Sequence, residues 1–108
     1  MIKVFGDGLQ VRDYIYVDNL AEAFIRSAVS EACMGKVFNV GSGVGTRFKD
    51  MAETIVRAAG SGQIEFVPWP TDYINVETGD YVTDIAQIRD GLDWKPATGF
   101  DAGVEFTV

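Results

Sequence analysis

The chain has 108 residues, 47% of them hydrophobic and 23% charged, with a formal net charge of −7. That length suits one small domain or a portion of a larger one, with enough apolar content for a core and too little compositional bias for disorder. A lone cysteine, Cys33, and the absence of histidine exclude an internal disulfide and a Cys/His zinc site, and the acidic balance argues against duplex nucleic acid as a partner.

Residues 2–5, Ile-Lys-Val-Phe, read as a short strand closed by the turn cluster Gly6-Asp7-Gly8. Arg12 to Val17 is β-branched and aromatic, and reads as a second strand. Asp18 supplies an N-cap oxygen for a helix whose apolar residues (Leu20, Phe24, Ile25, Ala28) recur at intervals of three and four. Lys36 to Val40 reads as a further strand, bounded by Gly41-Ser42-Gly43-Val44-Gly45. Thr46 is a good N-cap for a helix that carries Phe48, Met51, Ala52, Ile55 and Ala59 on one face, and Gly60 stands where a left-handed residue would end it. Gln63 to Val67 alternates as a strand and is stopped by Pro68-Trp69-Pro70. Thr71 to Gly79 has no clear period and reads as a loop. A short helix is expected over Asp84–Asp90 with Ile85 and Ile88 inward; Trp94 follows in a packed loop, and Asp101 caps a last turn. Strands alternating with helices make the fold α/β. Met1-Ile-Lys-Val-Phe-Gly lacks a signal-peptide core, and no run of about 18 apolar residues follows, so no membrane partner and a cytoplasmic location are expected.

The chemistry legible in these residues is thin. Gly41 to Thr46 lies between a strand and a helix, the context of a dinucleotide-binding loop, where glycines let backbone N–H groups approach phosphate. Thr46 stands where the G-x-G-x-x-G fingerprint needs a third small residue, so a glycine turn feeding a helix is the preferred reading. No tyrosine is followed four residues on by lysine: Asp18, Leu20, Glu77 and Ile85 occupy those positions after Tyr14, Tyr16, Tyr73 and Tyr81. The many carboxylates read as helix exteriors and caps.

Several blocks taken in order carry more weight. They are Val4-Phe5-Gly6-Asp7-Gly8, Arg12-Asp13-Tyr14-Ile15-Tyr16-Val17-Asp18, Phe38-Asn39-Val40-Gly41-Ser42-Gly43, Gly79-Asp80, Asp84-Ile85 and Leu92-Asp93-Trp94-Lys95-Pro96. Together they resemble the C-terminal part of the extended short-chain dehydrogenase/reductase family, the NAD-dependent nucleotide-sugar epimerases and dehydratases typified by UDP-glucose 4-epimerase. The resemblance implies a truncated α/β molecule, because the Gly-rich NAD loop and the Tyr-x-x-x-Lys pair of the family lie in a preceding part. Residues 1–45 would include elements that flank the cofactor sheet, and residues 46–108 would complete the smaller C-terminal lobe that holds substrate.

The same resemblance implies a UDP- or dTDP-sugar as ligand of the complete enzyme, isomerase or lyase chemistry there with NAD, and neither catalysis nor a cofactor for this chain alone. Val4 and Phe5 would lie along the nucleotide base, Arg12 would contact the diphosphate, and Asp80 would accept from ribose hydroxyls. The plain alternatives are a buried strand for Phe5, a pair with Asp13 or another acid for Arg12, and a loop cap for Asp80. Tyr14 would pack near the nucleotide or serve as a core tyrosine. Glu77 stands where many members carry a second phosphate-clamping arginine, and Asp93 stands where the family has the glycine of Leu-Gly-Trp. The apolar surface left by the missing part predicts a homo-oligomer. Two other readings stay open: a free-standing oligomeric binding or assembly module (or gene remnant), and a small dinucleotide binder using Gly41–Gly45 and Glu65.

Overall fold

The computed structural model describes all 108 residues. Two pairs of strands and five helices follow in the order β1 (Ile2–Phe5), β2 (Val11–Asp13), α1 (Val17–Val29), β3 (Gly45–Arg47), α2 (Phe48–Ala59), β4 (Ile64–Val67), α3 (Thr71–Ile74), α4 (Ala86–Leu92) and α5 (Phe100–Thr107). β1 and β4 are parallel, with Val4 opposite Phe66. Parallel strands need a crossover, and α2 supplies it, lying over both strands while α5 packs on α2. β2 and β3 pair antiparallel, with Arg12 opposite Thr46.

The interior is split in two. Val4 and Ala52 are fully buried where α2 covers β1. A second cluster, Ala23, Ile88 and Trp94, joins α1 to α4, with Ile15, Phe38, Val40 and Leu92 packed around it. Asn19, buried on α1, accepts a 2.9 Å hydrogen bond from the Thr98 N–H and ties the chain beyond Trp94 to that helix.

Several expectations need correction. Lys36–Val40 forms no strand: Phe38 and Val40 dock on the Trp94 cluster, yet no neighbouring strand pairs with the segment, and Val37 is 86% exposed. The second strand stops at Asp13, because the chain turns into α1 at Tyr16. Asp18 therefore sits in the first turn of α1, where its charge suits the helix N-terminus, instead of capping it. Thr46 belongs to β3, leaving Arg47 at the N-cap of α2, and Gly99 takes the position expected for Asp101. The 71–79 stretch begins with the single-turn helix α3, and the helix expected over 84–90 runs over Ala86–Leu92, with the Asp84 carboxylate accepting from the Ala86 N–H at 2.9 Å.

Candidate nucleotide-binding site

β1 ends in Phe5, and the strand is carried one step further by a 2.9 Å bond from the Gly6 N–H to the Val67 carbonyl. Gly6 then turns with φ 67°, leaving room for Trp69, whose ring sits 5.4 Å from that of Phe5. A side-chain carbon at Gly6 would meet the Trp69 indole. Tyr73 on α3 stacks on Phe5 at 6.4 Å with ring planes 25° apart. Phe5, Trp69 and Tyr73 thus form an aromatic group at the C-terminal ends of β1 and β4. Val4 points the other way, as alternation along a strand requires, and its side chain is fully buried.

The chain leaving α3 crosses to β2 and is fastened there. The Asp80 carboxylate accepts from the Val11 N–H at 2.9 Å, and the Tyr81 N–H donates to the Val11 carbonyl at 3.0 Å. Arg12 donates from Nη1 to the carbonyls of Val11 and Gly79, and from Nη2 to Oε1 of Glu77. The same Glu77 oxygen accepts from the Gly79 N–H at 3.1 Å. The acid that Arg12 meets is Glu77, and Asp13 plays no part in the pair. Neighbours on a strand face opposite ways, a signal the sequence already held against an Arg12–Asp13 pair.

Asp13 instead points to the glycine loop. Its carboxylate accepts from the Ser42 N–H (2.8 Å), the Ser42 hydroxyl, the Gly43 N–H (3.0 Å) and the Thr83 N–H (3.1 Å). Burial alone would raise the carboxyl's pKa; these four donors outweigh it and hold it below the ordinary value. Gly41 is buried against the same hub, and a side-chain carbon there would fall 2.8 Å from Asp13 Oδ2 and closer still to Thr83. The loop amides that a pyrophosphate would need are already given to an internal carboxylate. Gly45–Arg47 then pairs with β2, so the loop does not open directly into a helix. This glycine loop does not fit the pyrophosphate of NAD. Tyr14, just past the end of β2, packs on Phe100 at 5.4 Å with its hydroxyl buried and unpartnered, and burial raises its pKa against the pull of Arg12.

Sequence reasoning thus named Phe5, Arg12 and Asp80, which one segment, Pro70 to Asp80, connects: it starts over Phe5 and ends on Arg12. It missed Trp69 and Tyr73 as companions of Phe5, and it missed Glu77 as the partner of Arg12.

Against this geometry, the sequence matches the family described as GDP-mannose 4,6 dehydratase over residues 1–107. The chain belongs to that family. It is 33% identical over 98% of its length to the UDP-glucose 4-epimerase of Mycolicibacterium smegmatis. Its fold superposes with a TM-score of 0.78 on the UDP-glucose 4-epimerase of Thermotoga maritima, solved with UDP-glucose, at 25% identity over 98% of this chain. The same score and identity, over 97% of the chain, relate it to the dTDP-glucose 4,6-dehydratase of Bacillus anthracis, solved with NAD. The chain spans about a third of each of these relatives: 33%, 33% and 32%. The α/β fold expected from the sequence is therefore the fold of the extended epimerase/dehydratase group over that third. No helix is long and apolar enough to cross a membrane.

Proposed function

We propose that this chain is the nucleotide-gripping portion of an NAD-dependent nucleotide-sugar epimerase or dehydratase, and that it does no chemistry by itself. The carrying observation is the Pro70–Asp80 segment, which contacts the Phe5 ring through Tyr73, the Arg12 guanidinium through Glu77 and Gly79, and ends in the Asp80 carboxylate. In this reading Phe5 offers its ring to the base, with Val4 supporting from beneath. Arg12 faces the diphosphate, whose oxygens suit a planar fork. Asp80 keeps one carboxylate oxygen beyond its bond to Val11 for ribose hydroxyls. In this reading residues 1–45 include elements that flank the cofactor sheet of the complete enzyme, and residues 46–108 complete the substrate lobe. The ligand is a UDP- or dTDP-sugar, and NAD is held outside this chain.

A titration of the isotopically labelled chain with UDP-glucose tests the grip. Millimolar binding is expected, because only part of the pocket is present. Arg12→Ala removes two hydrogen bonds to the 77–79 segment and one to the Val11 carbonyl, and should cost about 1–2 kcal/mol of stability as well as the ligand. Arg12→Lys keeps the charge and loses the fork, so it separates the two effects: binding should weaken several-fold while the fold survives. Ligand shifts unchanged in both variants would remove Arg12 from the site.

A second reading, self-association of the chain, is favoured by its surface. The accessible area is 7354 Å², whereas a compact chain of 11.8 kDa exposes about 5,900 Å². The surplus, about 1,400 Å², exceeds the roughly 800 Å² that each partner gives to a standard interface. In the complete enzyme the cofactor lobe covers this face; in the chain alone a second copy does.

A further inference from the structure

The pairing of Arg12 leaves the proposed phosphate grip with an unusual starting state. Of the guanidinium's five N–H groups, two on Nη1 are given to the carbonyls of Val11 and Gly79, and one on Nη2 to Glu77. The edge that would present two parallel donors to a phosphate is occupied by Gly79 on one side and by a carboxylate on the other. Glu77 is also pinned from behind, since its Oε1 accepts from the Gly79 N–H at 3.1 Å, in a turn where Gly79 has φ 78°. Both side chains of the pair are about a quarter exposed, 26% for Arg12 and 24% for Glu77, so solvent and ligand can reach it. Nothing else in the contacts of Arg12 balances its charge. The carboxylate stands where an anion would sit.

We propose that Glu77 is a charge gate on Arg12, an internal carboxylate that an incoming diphosphate must displace and that selects ligands by their charge. The proposal rests on the nucleotide-grip reading above and deepens it. A phosphate that takes the Glu77 position frees the carboxylate to solvent but leaves it as a near neighbour, and like charges at that separation repel. The penalty grows with ligand charge. A diphosphate diester, as in a nucleotide sugar, carries one negative charge fewer than a free nucleoside diphosphate. Glu77 therefore favours the sugar-bearing ligand over the bare diphosphate, a discrimination the sugar itself need not supply.

Affinities for UDP and for UDP-glucose, measured by calorimetry or NMR titration at fixed ionic strength, test the gate in the parent chain, Glu77→Gln, Arg12→Ala and the double variant. Glu77→Gln keeps the shape of the side chain and removes its charge. It should tighten UDP about tenfold and UDP-glucose about threefold, and both gains should vanish when Arg12 is alanine. In the parent chain, UDP should shift the Gly79 amide resonance and speed its hydrogen exchange, because that N–H loses its acceptor; this readout decides the matter if Glu77→Gln fails to fold. Equal affinities in parent and Glu77→Gln, with Arg12→Ala still losing the ligand, overturn the gate and leave the grip standing. A gain that persists without Arg12 shows a general field effect and overturns it too. Absence of UDP binding in parent and Glu77→Gln alike, up to tens of millimolar, overturns gate and grip together.

Discussion

Asp13 is the residue on which most of the local order converges. One carboxylate replaces a whole set of backbone partners for the loop 41–43 and for Thr83, and so holds β2, the glycine loop and the start of α4 in register. Asn at this position keeps one acceptor oxygen and puts an amide donor against two N–H groups. Asp13→Asn should therefore cost about 3 kcal/mol at neutral pH, on the scale of hydrogen bonds to charged groups. The pH dependence follows from the direction of its shift. With the native pKa held below the unfolded value of about 3.9, the contribution is complete above that value and is lost as pH falls through the lower native one. Denaturant melts between pH 7 and 2 should show an acid limb in the parent chain that is flatter in Asp13→Asn. An unchanged acid limb would mean that other carboxylates carry it. Asp93 shows the converse case, a side chain tolerated where glycine fits best: it ends α4 with φ 49° and ψ 38°, a left-handed state that Asp accepts more readily than most residues.

At the scale of elements, two glycines with the same backbone angle separate conformational cost from packing cost. Gly60 closes α2 with φ 68° and has open space where a side chain would go. Gly8 turns between β1 and β2 with φ 67°, but a side-chain carbon there would lie 2.7 Å from Val4 Cγ1 and 2.9 Å from Lys49 Cβ. Gly60→Ala should cost about 1 kcal/mol, the left-handed penalty alone. Gly8→Ala adds overpacking of a fully buried valine and should cost about 2–4 kcal/mol. Thermal unfolding of the two variants checks this, and equal losses would show that the β1–α2 contact yields easily. Gly60 was legible in the sequence because a helix end announces itself through local periodicity. Gly8 looked like any turn glycine, since the crowding comes from the way the turn folds back on Val4 and from Lys49 of α2, about 40 residues on. The same limit explains segment 36–40, where β-forming residues such as Val37, Phe38 and Val40 favour an extended chain but only a partner strand makes a ladder.

For the whole molecule, the radius of gyration is 16.4 Å, against about 13 Å for a compact chain of this length. Apolar surface is exposed with it: on α1, Phe24, Ile25 and Val29 are 68%, 65% and 80% exposed, while the other side of the helix holds Asn19 and Ala23 against the core. If a second copy covers that face, light scattering at micromolar concentration should give at least a dimer, and Phe24→Glu should return it to monomer. Because Phe24 is exposed in the single chain, the substitution should change monomer stability by no more than about 0.5 kcal/mol. A parent chain that is monomeric at high concentration refutes self-association through α1.

The sequence by itself determined the α/β alternation, the amphipathic α1 and α2, the strands β1 and β4, and the motif order that places the chain among nucleotide-sugar epimerases and dehydratases. All of these are written in local spacing or in short blocks. Tertiary structure alone decided that Arg12 meets Glu77, 65 residues away, and that Asp13 fills the glycine loop which would otherwise have offered its amides to a phosphate. Hydrogen-bonding groups are satisfied by whichever partner the fold brings near, and sequence distance says nothing about which that will be.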